Sequence, residues 1–251
     1  MKKIINWIKN DIKNDINEIK EQYKNIKIEK LKKHQNFSWS LIIFAILFYE
    51  VQFYWPVGID KYFINLLNNN VYCYFLILDL ITLIIVIYAF KNELKDSFNN
   101  FKKNFKDYMK YLLFSLVIFA YLSAIVAIIC NLIVGEIPDN QSALEQYNYL
   151  YLIFGSVIFA PIVEEIVYRG ILRKFIKNDK LFIFISAILF GFAHVIGSSS
   201  PIQYIYVLDY GLSGLYLAFL YTKYNNIYLN ISAHFFINLI ATTSMLLRII
   251  F

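Results

Sequence analysis

The chain has 251 residues, 59% of them hydrophobic and only 17% charged, with a formal net charge of +6. Soluble domains are nearer about 45–50% apolar. The charges here fall in blocks between long apolar runs, which excludes a soluble globular protein and points to a membrane. The basic excess calls for no nucleic-acid partner, because membrane proteins gather lysine and arginine in their cytoplasmic loops.

In chain order, residues 1–36 come first as a lysine-rich tail. Ile5, Ile8, Ile12, Ile16, Ile19, Tyr23 and Ile26 recur at three- and four-residue steps, which predicts an amphipathic helix with a basic polar face. Apolar runs follow at 38–56, 71–90, 111–135, 147–168, 181–197, 203–221 and 226–250. Each approaches the roughly 20 residues that carry a helix across a hydrocarbon core about 30 Å thick. The expectation is an all-α, polytopic transmembrane bundle of about seven spans over 37–251, with the tail at 1–36 apart from it. The fifth run is short. Cys73 and Cys130 lie inside apolar runs and read as small packing residues.

Alternating these spans puts 22 of the 24 basic residues on one side, leaving only Lys61 and Arg248 on the other. The loop from Glu136 to Tyr147 has three acids and no base. The expected location is the cell membrane, with the N-terminus cytoplasmic and the C-terminus external.

Charged groups inside hydrocarbon cost about 2.5–3.5 kcal/mol each on insertion scales, so each is a functional candidate. Glu50 and Asp79 stand alone and read as structural, as does Asp209 between tyrosines. The others are patterned. In Glu164-Glu165-Ile166-Val167-Tyr168-Arg169, the spacing pairs Glu165 with Arg169 in the favourable order. Glu164 then faces elsewhere, suited to a general base. Phe190 and His194 share a helical face, and Gly191 and Ala193 allow a neighbouring helix to approach. His234 and Asn238 are four apart and suit an oxyanion hole. Helical rise puts Glu164, His194 and His234 roughly 13, 20 and 12 Å from one membrane edge, near mid-depth of the core.

The ordered set Glu164-Glu165-x-x-x-Arg169, Phe190-x-x-x-His194 and His234-x-x-x-Asn238 resembles the three motifs of the CPBP family. These are the CAAX prenyl endopeptidases and the bacterial bacteriocin-processing and self-immunity proteins, also called Abi. The resemblance covers about 147–240. It implies an intramembrane endopeptidase acting on a membrane-associated peptide or protein within the lipid bilayer. Glu164 and His194 would activate water, and His234 and Asn238 would hold the oxyanion. Glu165, Arg169 and Phe190 would support them. A zinc-binding set of Glu164, His194 and His234 stands beside a site needing no cofactor, since two histidines and a glutamate also suit zinc. Two other readings use the same residues. One is a non-catalytic membrane scaffold or regulator; the other is an ion-coupled transporter motivated by Glu50, Asp79 and Asp209.

Overall fold

A computed structural model describes residues 70–250. The predicted tail helix, the first span and Glu50 lie outside the described residues. Within them every regular element is helical: α1 Val71–Ala89, α2 Lys91–Lys103, α3 Phe105–Val134, α4 Asp139–Leu144, α5 Tyr149–Phe175, α6 Asp179–Ala193, a 3₁₀ turn Pro201–Tyr206, α7 Val207–Tyr224 and α8 Ile227–Ile250. The all-α architecture expected from the apolar runs is what these residues form.

Local sequence explains the ends. The Asn70 side chain accepts the Cys73 N–H at 3.1 Å and opens α1. Asn178 does the same for Leu181 at 3.0 Å and opens α6. Asn226 caps α8, accepting from Leu229 N at 3.0 Å. Gly135 ends α3 at φ 80°, a left-handed conformation that suits glycine.

Among the described residues, four helices are long and apolar enough to cross a membrane: α1, α3, α5 and residues Ile227–Ile249 of α8. With the family resemblance, they make this a membrane protein. The predicted fifth and sixth runs do form helices, but neither meets that standard alone. α6 has 15 residues, about 22 Å of rise against about 30 Å of hydrocarbon. The predicted run to 197 continues past the helix end at Ala193. α7 has 18 residues, interrupted by Asp209, two glycines and several tyrosines. Cys130 is buried as expected, whereas Cys73 is exposed on α1.

α6 and α7 compensate by packing very closely. A Cβ on Gly191 would lie 2.7 Å from the Val207 carbonyl oxygen, and one on Gly214 would lie 2.8 Å from Phe190 Cβ. Ala193, expected to share this role with Gly191, is exposed instead, because the contact runs through the opposite face of the last turn. Behind the pair, Leu112 and Leu116 of α3 meet Leu217 and Leu220 of α7 and Leu229 and Ala233 of α8 in an apolar core.

α5 is one helix with two widened π-helical stretches, Ile153–Phe159 and Ile166–Ile171, flanking Ala160–Glu165. Such turns shift the backbone bonds and occur frequently at functional sites. Ion pairs tie the ends of the helices. Lys174 of α5 binds Glu93 of α2 at 2.9 Å, and Arg173 pairs with Asp179. At the other end Arg248 reaches Glu145, so the C-terminal end of α8 lies beside the acidic loop.

Candidate functional site

The centre of the site is the Glu165 carboxylate, which is fully buried and touches two helices. Arg169, one turn along α5 and equally buried, donates from one guanidinium nitrogen to Glu165 Oε1 at 3.0 Å. Its other terminal nitrogen reaches the Gly214 carbonyl of α7 at 3.1 Å. The guanidinium lies 4.8 Å from the Phe190 ring centre. A bare carboxylate or guanidinium here would be strongly destabilising; paired and hydrogen-bonded, the two are tolerated. The sequence-predicted Glu165–Arg169 pair therefore forms.

α8 supplies the remaining partners. Asn230 donates to Glu165 Oε2 at 3.1 Å and to the Leu217 carbonyl at 2.7 Å. His234 Nδ1 lies 2.8 Å from Glu165 Oε1. A carboxylate only accepts, so Nδ1 carries a proton and Nε2 is the free edge of the ring. That Nε2 lies 3.9 Å from Glu164 Oε2, a separation that leaves room for a bridging atom but is not itself a hydrogen bond. Glu164 Oε2 is buried without a hydrogen-bond partner. Adjacent carboxylates do diverge along the helix, but here they reach opposite edges of one imidazole. Glu165 is thus more than the partner of Arg169: it sets the orientation of His234.

His194 follows the last residue of α6 rather than lying inside a span. Its Nδ1 donates to the Phe190 carbonyl at 2.8 Å, which again leaves Nε2 as the free edge. Its ring stacks on Tyr210 at 4.6 Å and meets the Phe190 ring at 4.6 Å. Phe190 also touches His234 edge-on at 5.6 Å. The two histidines therefore share the Phe190 ring, while the close approach to Glu164 is made by His234. Asn238 donates to the Ser156 carbonyl at 2.7 Å. Ser156 lies in the first π-helical stretch, whose shifted bonding leaves carbonyls to be satisfied from outside. One amide N–H of Asn238 is thereby committed to α5 and one remains.

Glu164, Glu165, Arg169, Phe190, His194 and His234 are thus brought together, and Asn238 sits one turn from His234 on α8. Asn230 was missed. A lone asparagine in an apolar run gives little signal, but Asn226, Asn230, His234, Asn238 and Thr242 recur every four residues, a polar row on one helical face. The two outlying acids are bonded elsewhere. Asp79 accepts from Tyr151 at 3.0 Å, and Asp209 accepts from Ser123 at 3.4 Å.

The zinc reading requires Glu164, His194 and His234 to converge within about 2.0–2.2 Å of one ion. Among the described residues no three His, Cys, Asp or Glu side chains are grouped in that way.

Residues 146–240 match the family model described as Type II CAAX prenyl endopeptidase Rce1-like. The match spans all three motifs, so residues 146–240 are similar to an Rce1-like domain. Among curated proteins, the UPF0177 protein YvdC of Lactococcus lactis is 37% identical over 102 residues, 40% of this chain and 38% of its own. An uncharacterized protein of Mycoplasma capricolum is 30% identical over 198 residues, 69% of this chain and 56% of its own. The chain thus spans between about a third and a little over half of the length of these relatives. No solved structure matches.

Proposed function

We propose that the chain is a CAAX-protease-like intramembrane endopeptidase that hydrolyses a peptide bond of a membrane-associated peptide or protein. The observation that carries this reading is the buried, unpartnered Glu164 oxygen 3.9 Å from the free edge of an imidazole oriented by a second carboxylate. Glu164, assisted by His194, takes a proton from water. The water oxygen adds to the scissile carbonyl carbon. His234 as imidazolium, through Nε2–H, and the remaining Asn238 N–H stabilise the oxyanion. The proton then passes to the departing amine as the C–N bond breaks, so no other reactant is required. Substrates of this class include prenylated C-terminal tails and, for processing or self-immunity, small hydrophobic bacteriocin-like peptides. The domain at 147–240 carries the chemistry, with the N-terminus cytoplasmic and the C-terminus external.

The test compares the peptides in membranes of cells making the unmodified protein, Glu164→Ala or His234→Ala. Both variants are expected to insert normally and to accumulate an uncut precursor, with cleavage reduced beyond detection. Unchanged peptide profiles in both would refute the reading.

A further inference from the structure

Nothing in the three motifs includes Asn230, yet it binds the central carboxylate of the site. It is fully buried. Its amide nitrogen lies 3.1 Å from Glu165 Oε2 and 2.7 Å from the Leu217 carbonyl oxygen. Both of those atoms only accept, so the amide faces them with its nitrogen, and its two N–H groups are both used. The carbonyl oxygen of the same amide has no partner. The side chain is therefore held for its donors alone.

The donors act on a carboxylate whose two oxygens have separate duties. Glu165 Oε1 receives Arg169 at 3.0 Å and His234 Nδ1 at 2.8 Å. Oε2 receives Asn230, and Asn230 is fixed to the α7 backbone. Without that anchor the carboxylate is free to turn about its last bond, and Oε1 loses its register with the imidazole. That His234 turns its Nε2 edge toward Glu164 depends on Nδ1–H staying on Glu165 Oε1, hence on that register.

We infer that Asn230 is a positioning residue, locking the Glu165 carboxylate against Leu217 so that His234 presents Nε2 to Glu164. The inference rests on the proposed peptidase reading for its consequence in catalysis, but its structural content does not. Its route runs from the α7 backbone through Asn230 and Glu165 to His234, and Asn230 touches no reacting atom.

Two variants of the full chain in detergent test it. Asn230→Leu keeps the size and removes both donors. With a fluorogenic prenylated CAAX peptide as probe, its kcat falls about ten- to hundredfold, the worth of one hydrogen bond to a charged group, while KM holds. Asn230→Asp restores a donor only while the new carboxyl is protonated. Its activity is therefore highest in acid and falls with rising pH, steeply relative to the unmodified protein. A purely structural role would not produce that divergence. The second readout needs no turnover. The chain has three histidines, and ¹⁵N NMR of their rings, assigned with single His→Gln variants, reports which nitrogen holds the proton. Neutral His234 is expected as the Nδ1–H form in the unmodified protein and as a mixture in Asn230→Leu. An unmoved His234 tautomer in Asn230→Leu overturns the inference, as does a pH profile of Asn230→Asp that follows the unmodified one. If the unmodified protein cleaves no peptide, the peptidase reading fails separately, and the tautomer still decides the role of Asn230.

Discussion

Helices α3 and α5 are close in length, 30 and 27 residues, and both are apolar enough to cross a membrane, yet 17% of the most apolar stretch of α3 is buried inside the protein against 44% for α5. α3 turns Leu113, Phe114, Val117 and Leu132 outward and offers only one narrow row to its neighbours. α5 buries Glu164, Glu165 and Arg169, bends its hydrogen bonding twice, and is tied by side chains to α1, α2, α7 and α8. Hydropathy selects both helices alike. What separates them is that the outward side chains of α3 need only apolar surroundings, whereas those of α5 are satisfied only by particular partners. Substitutions should therefore be costly along α5 and the helices holding it, and nearly silent on α3.

The contrast is sharpest at Arg169. Arg169→Met leaves Glu165 buried without its cation, and breaking a buried pair costs about 3–5 kcal/mol. A large fall in the thermal midpoint and in the yield of monodisperse protein in detergent is expected. A midpoint equal to that of the unmodified chain would mean that Glu165 does not depend on α5 for its charge partner. Gly191→Ala comes next. Its Cβ would meet backbone of α7 at 2.7 Å, and overpacking of that kind costs about 1–3 kcal/mol. The midpoint should drop measurably, with the ring contacts of His194 disturbed as α6 moves. Leu132→Ala, on the outward face of α3, is expected to change stability by no more than about 0.5 kcal/mol. A loss there as large as at Arg169 would erase the distinction between the two helices.

Much of this was legible from residue types alone. The apolar runs located α1, α3, α5, α6, α7 and α8 but not the polar α2 or the short α4, and the four-residue step from Glu165 to Arg169 announced an ion pair that forms. Gly191 marked a close approach. The end of α6 was less legible, because Val195 and Ile196 prolong the apolar run while the chain has already turned at His194. The π-helical stretches were invisible, since no residue type encodes a widened turn. The link between Glu165 and His234 could not be read either. It joins residues 69 apart in sequence, and helical spacing describes only one helix at a time. Asn230 was hidden for the same reason, its meaning residing in a carboxylate on another helix.

The polar row of α8 also bears on assembly. Asn226, Asn230, His234, Asn238 and Thr242 repeat at intervals of one turn, about 5.4 Å of rise. A slip of α8 by one turn would set another polar group of the row opposite Glu165, so polarity alone is a poor ruler. Only one of the five rungs is a histidine. The correct setting is then read at the ends of the helix, where Asn226 donates to the Ser97 carbonyl at 2.9 Å and Arg248 finds Glu145. Those peripheral contacts work as index marks that decide which rung faces the carboxylates.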